Sequence, residues 1–157
     1  MSNGPSAVVP AEPGVRVMRP EDLDAVVDID AQVFGQRRPE YYQRKMARLL
    51  DGTQQLVTSL VIEVEGKLAG FIMGEVYLGE FGVPETTATI DTIGVDPAYQ
   101  GSGVASTLFQ EYASHLRRIG VRSITTRVNW NDWGLLRFFE KVGFTPTPVV
   151  NLELSLG

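Results

Sequence analysis

The stretch "IGVDPAYQGSGVASTLF", residues 93–109, runs from an apolar strand end through a turn of small residues into a helix. Asp96–Pro97 stops the strand. From Val104 onward apolar residues recur at helical spacing, at Ala105, Leu108, Phe109, Tyr112, Ala113, Leu116 and Ile119, until Gly120. A helix that opens on glycines leaves its first N–H groups without partners at the positive end of the helix dipole, which suits an anion. Gly101, Ser102 and Gly103 leave room for a close approach. A dinucleotide fingerprint fits poorly. The position of its third glycine is Ser106, and the next strand, "VRSITT" (121–126), carries no acidic residue. A P-loop needs Gly-Lys-Ser/Thr where Val104–Ala105 stands. From this stretch alone, an anion site and a glycine turn without a ligand remain equal readings.

Working outward, "VRVMRPEDLDAVVDIDAQVF" (15–34) reads as a short strand and then a helix. Pro20 sits at a first helical position, with Glu21 and Asp22 in the first turn. "PEYYQRKMARLLDG" (39–52) predicts a second helix with Tyr42, Met46, Leu49 and Leu50 on one face and Gly52 as its stop. Residues 55–79 are β-rich, with a hairpin corner at Glu65–Gly66. "ETTATIDTIGV" (85–95) is a further strand, in which Gly94 predicts a bulge or a close backbone approach. "VRSITTRV" (121–128) is another. "NDWGLLRFFEKVGF" (131–144) is a helix ending at a left-handed Gly143. "VVNLELSLG" (149–157) alternates like a final strand. This order predicts an α+β fold of the α/β sandwich type, a mixed, mostly antiparallel twisted sheet flanked by helices.

The 157 residues point to one domain, expected over 15–157, behind a flexible Gly/Pro/Ser-rich tail at 1–14 that does not read as a signal peptide. Without cysteine there is no disulfide, thiolate metal site or cysteine nucleophile, and one histidine, His115, argues against a metal cage. His115, placed opposite the apolar stripe of its helix, is expected to be solvated. Trp130 and Trp133 are expected in the core. No membrane is expected, since no apolar run reaches spanning length, and the expected location is the cytoplasm. A net charge of −5 with no basic stripe argues against nucleic acid and suits a cationic or amine substrate.

Two motifs together give a sharper expectation. Val95, Pro97, Tyr99, Gln100, Gly103 and Ala105 resemble the acetyl-CoA motif of the GNAT superfamily of acyl-CoA-dependent N-acyltransferases, and "RFFEKVGF" (137–144) resembles its last-helix pattern, F-Y-E-K-x-G-F. The resemblance extends over about residues 14 to 156. It implies that acetyl-CoA is a cosubstrate and a primary amine the acceptor, attacked directly in a ternary complex with no metal. The amides of Gln100, Gly101, Ser102, Gly103, Val104 and Ala105 would hold the diphosphate, a task for backbone donors. The strand 88–95 would splay from the strand 121–128, so that backbone near Ile93 and Val95 meets the pantetheine arm, with Gly94 allowing the approach. Asn131 stands for a family asparagine that meets the cofactor arm; as a residue, it is equally a helix N-cap.

The pattern also departs from that family. Phe139 takes the place, in the cofactor site, of a tyrosine that protonates the leaving thiolate. Arg127 takes the place of a glutamate base found in some peptide-acetylating members. The two candidate bases are then Asp91, which strict alternation would put on the same face as Ile93 and Val95, and, more weakly, Glu75, for which an exposed edge position is the plainer reading. A non-catalytic acyl-CoA sensor or interaction domain is the alternative. The C-terminal strand region is shortened, with room for one strand after Phe144, and its edge predicts a homodimer.

Overall fold

The computed structural model describes residues 14–50, 59–80 and 83–157. It forms two compact units, Met1–Arg127 and Val128–Gly157. The expected tail, apart from Gly14, and the expected stop at Gly52 lie outside the described residues.

The first unit is built on a five-stranded sheet of β1 (Gly14–Val17), β2 (Ser59–Val64), β3 (Lys67–Glu80), β4 (Val83–Val95) and β5 (Ser123–Thr126), ordered as in the sequence. The first four strands are antiparallel; β5 joins β4 in parallel. Glu65 (φ 52°) and Gly66 (φ 77°) both turn left-handed at the corner between β2 and β3. That geometry matches the twist of a two-residue hairpin.

Alternation splits β2 and β3 between two layers of helix. Val61, Phe71 and Met73 pack with Val26, Val27 and Ile29 of α1 (Leu23–Phe34) and with Tyr42 and Met46 of α2 (Pro39–Leu50). Phe71 is fully buried and meets Tyr42 edge to face at 5.8 Å. Burying such a ring contributes about 2–3 kcal/mol. On the other face lies α3 (Val104–Arg118), which buries Val104, Leu108, Phe109, Tyr112 and Leu116.

Two charged clusters fix the helices. Arg16 of β1 donates to both carboxylate oxygens of Asp22 at 2.8 Å and to Glu63 of β2 at 2.7 Å. Burial alone would raise the Asp22 carboxyl, but the hydrogen bonds from Arg16 and from the Arg19 amide outweigh it and hold the group below its usual range. Arg38 makes a paired contact to buried Asp30 at 2.7 and 2.9 Å and lies 3.8 Å over the ring of Phe34. This sets the corner between α1 and α2.

The pairing of β3 with β4 slips once at its centre. Met73 faces Thr92, while Gly74 faces Ile90, so Asp91 is one residue too many on β4. The sequence signal at Gly94 foresaw a bulge or a close approach in this strand. The bulge lies three residues earlier, and the close approach is Phe71, whose ring edge would sit 2.7 Å from a Cβ on Gly94. Gly74, opposite the slip, is hemmed in from two sides: a Cβ there would lie 2.5 Å from the Thr89 carbonyl oxygen and 2.2 Å from the Tyr112 hydroxyl.

The second unit holds α4 (Trp133–Lys141), capped by the Asp132 side chain, which accepts from the Leu135 amide at 3.1 Å. Gly143 (φ 108°) ends it as expected, and the Phe144 amide returns to the Phe139 carbonyl. The expected final strand is not formed: residues 145–157 carry no strand, and Val149, Val150, Leu152, Leu154 and Leu156 are exposed. Alternation marks what a strand would bury, but a strand also needs a neighbour to pair with. Trp130 and Trp133, expected in the core, are exposed as well.

Gly74→Ala should lower the unfolding free energy by about 3 kcal/mol, the upper part of the range for overpacking. Adding Tyr112→Phe should recover less than half of that, because the Thr89 carbonyl remains. Denaturant titration of both variants checks this.

Candidate functional site

The bulge decides which backbone groups β4 leaves free. On the β5 side of β4, the Thr86 carbonyl accepts from the Arg122 amide at 2.9 Å and the Ile90 carbonyl from the Thr126 hydroxyl at 3.1 Å. Pairing with β5 ends at Ile90. Beyond the bulge, the Asp96 amide donates to the Ala69 carbonyl on the β3 side at 2.8 Å. Alternation then directs the N–H and C=O of Ile93 and Val95 away from β3, to an edge that no described strand covers. Both side chains lie on the α3 face, since Ile93 pairs with Ile72 and Val95 with Gly70, in phase with Gly74 against Tyr112. The space freed by Gly94 opens on the opposite face and is taken by Phe71.

This open edge leads directly into the glycine loop. Pro97–Tyr99 forms a single tight turn, in which the Asp96 carboxylate accepts from the Ala98 amide at 2.9 Å. The Gln100 amide donates to Pro97 at 3.3 Å and the Ser102 amide to Tyr99 at 3.2 Å; the Ser102 hydroxyl also donates to the Tyr99 carbonyl. Two of the six amides from Gln100 to Ala105 are thus spent inside the loop. Those of Gly101, Gly103, Val104 and Ala105 have no acceptor among the described residues. Gly101 (φ 79°) and Gly103 (φ 83°) both need the left-handed region, and nothing lies within 4 Å of a Cβ on either. No side chain among the described residues caps α3, which leaves the positive end of its dipole to other partners.

Asp91 requires a correction. Strict alternation would align it with Ile93 and Val95, but as the extra residue of the bulge it falls on the opposite face, with Thr92. Its carboxylate accepts from Lys45 Nζ of α2 at 3.0 Å. The Lys45 ammonium also stands 5.1 Å from the centre of the Tyr41 ring. Glu75 projects to the same side. It accepts from the Tyr77 hydroxyl at 2.6 Å and lies 3.8 Å from Arg48. Lys45 was not singled out in the sequence. The signal for it was present: Tyr41, Lys45 and Arg48 recur at i, i+4 and i+7 beside the buried stripe of Tyr42 and Met46.

Tyr112 was read only as a core residue. Its hydroxyl is buried without a hydrogen-bond partner among the described residues, and burial, followed by the charge of Asp91, pushes the phenol up. In the second unit, Asn131 is exposed in the turn before α4, and the N-cap is its neighbour Asp132. Phe139 is buried, 5.4 Å from the Phe138 ring and 4.8 Å from that of Phe144. His115 is half-buried.

Comparison with known proteins agrees with this architecture. The acetyltransferase (GNAT) family matches residues 23–144. A mycothiol acetyltransferase of Streptosporangium roseum is 36% identical over 61 residues, 39% of this chain and 18% of its own length. The chain therefore spans less than a fifth of that relative. A putative ribosomal protein bS18-alanine N-acetyltransferase of Bacillus subtilis is 29% identical over 134 residues, which cover 84% of this chain and 80% of the relative. The aminoglycoside N-acetyltransferase AAC(6')-Iy, solved in complex with CoA, superposes with a TM-score of 0.77 at 16% identity, over 92% of this chain and 95% of that one. With a match that takes in most of both helical layers, the whole sheet from β2 to β5 and the glycine loop, the chain belongs to the GNAT family of acetyltransferases.

Proposed function

We propose that the protein transfers an acetyl group from acetyl-CoA to a primary amine by direct attack in a ternary complex. One observation carries the reading: a strand edge whose backbone at Ile93 and Val95 has no partner among the described residues runs straight into a loop whose amides at Gly101, Gly103, Val104 and Ala105 have none there either. An extended amide-bearing arm that ends in a diphosphate matches that sequence of donors and acceptors. The arm adds to the edge as a strand does, and the diphosphate takes the amides and the helix dipole. The CoA complex of AAC(6')-Iy, on the same fold, supports the choice of cosubstrate.

In this reading the Val95 or Ile93 N–H polarises the thioester carbonyl, and binding both reactants side by side supplies much of the rate. Asp91 takes the proton from the attacking amine, working from the α2 face rather than from the face of Ile93 and Val95. Phe139 has no proton to give, so water protonates the departing thiolate, a fair leaving group with a pKa near 8.5. Phe139 and Arg127, standing where a tyrosine acid and a glutamate base are found in other members, are what favour the second reading, a sensor that binds acyl-CoA without turning it over.

Gly103→Glu should abolish acetyl-CoA binding with the fold intact, since it sets bulk and negative charge among the free amides. Calorimetry and circular dichroism read the two effects separately. An acceptor screen that detects released CoA thiol tests for turnover; binding without release over a broad amine panel would select the sensor. Asp91→Asn should slow turnover by about 10²-fold at neutral pH, with part of the rate restored at high pH as the amine deprotonates unaided.

We also propose a homodimer, supported by the exposed, alternating apolar residues Val150, Leu152, Leu154 and Leu156. Sedimentation at micromolar concentration should show a species of twice the chain mass; a monomer alone would refute it.

A further inference from the structure

The α2 face of the bulge already holds a primary ammonium. Lys45 Nζ is 3.0 Å from the Asp91 carboxylate and 5.1 Å from the centre of the Tyr41 ring, and its side chain is only 19% exposed. A carboxylate on one side and an aromatic face on the other are what a site for an amine substrate would offer. Asp91 is also the residue at which β4 leaves β5, two positions before Ile93. At a rise of about 3.3 Å per residue, that is about 7 Å along the strand, within the sweep of a lysine's four-carbon stem.

We propose that Lys45 is an acceptor in its own right: with acetyl-CoA bound, the protein acetylates its own Lys45 in cis. The inference rests on the functional reading above, which places the thioester at the open edge of β4. Asp91 removes one proton from the Lys45 ammonium and passes it to solvent. The Nζ lone pair attacks the thioester carbon, a C–N bond forms and the C–S bond breaks. CoA leaves as thiolate, and the second proton lost by nitrogen reaches it through water. The product is Nε-acetyl-Lys45 and free CoA thiol. Acetylation removes the positive charge from the ion pair and leaves Asp91 facing a neutral amide.

The chain has only three lysines, so Lys67 and Lys141 serve as internal controls. The whole protein is incubated with acetyl-CoA and followed by peptide mass spectrometry, with cofactor binding measured in parallel by calorimetry. The expected result is acetylation at Lys45 at least 10-fold faster than at Lys67 and Lys141, at a rate constant independent of protein concentration. Lys45→Arg should abolish it while acetyl-CoA still binds, and Asp91→Asn should slow it by 10-fold or more. Acetyl-CoA binding with Lys45 labelled no faster than the other two lysines overturns the inference and leaves the functional reading standing. A rate constant that rises with protein concentration refutes the reaction in cis. No acetyl-CoA binding overturns both.

Discussion

One surplus residue in β4 governs the rest of the molecule. Without the slip at Asp91, the groups of Ile90 and Ile93 could not both face away from β3, because regular alternation gives neighbours an odd number of steps apart to opposite edges. With it, the edge that serves β5 up to Ile90 continues as an edge that no described strand covers, and β5 ends where that change occurs. The same slip turns the Asp91 carboxylate toward α2. A single irregularity therefore leaves an open backbone edge along the strand and turns a carboxylate toward the Lys45 ammonium of α2. The molecule protects it: Gly74 admits no side chain opposite the slip, and Tyr112 fills the space behind Gly74 with a hydroxyl that has no partner among the described residues. A buried polar group left unpaired in this way costs about 1–3 kcal/mol.

The glycine loop follows a different economy. The amides of Gln100 and Ser102 close small internal rings with Pro97 and Tyr99, which stiffens the turn at the cost of two outward-facing donors. The remaining amides gather at the start of a 15-residue helix whose cap has no side chain to satisfy them. An anion arriving there meets donors already held in place, so little ordering is left to offset binding.

Much of this was legible in the residues. The helical repeats of α1 and α3, the hairpin at Glu65–Gly66, the stop at Asp96–Pro97 and the cap at Gly143 each rest on local chemistry, and local chemistry is what a sequence displays. The bulge was half legible. Gly94 signalled irregular packing, but its cause is the Phe71 ring on the next strand, and the position of the slip depends on register between two strands. That is why alternation put Asp91 on the wrong face. Lys45 and Asp91 are 46 positions apart, and nothing in either segment names the other. The C-terminal segment failed for the complementary reason: "VVNLELSLG" has the pattern of a strand, and pattern alone does not supply a partner.

The open stretch from Asp91 to Val95 has one further consequence. A row of unpaired backbone groups is a template on which any extended chain can grow, and such edges are how folded proteins come to stick to one another. Here the stretch is five residues long with only Ile93 and Val95 turned away from β3, begins at a charge and is closed by Asp96–Pro97, where proline offers no donor to a growing ladder. The features that bound this open edge are thus also the ones that limit how far a second polypeptide can pair along it. A substitution that lengthens the open stretch, by moving the charge or the proline outward, would therefore also lengthen the template it offers to another chain.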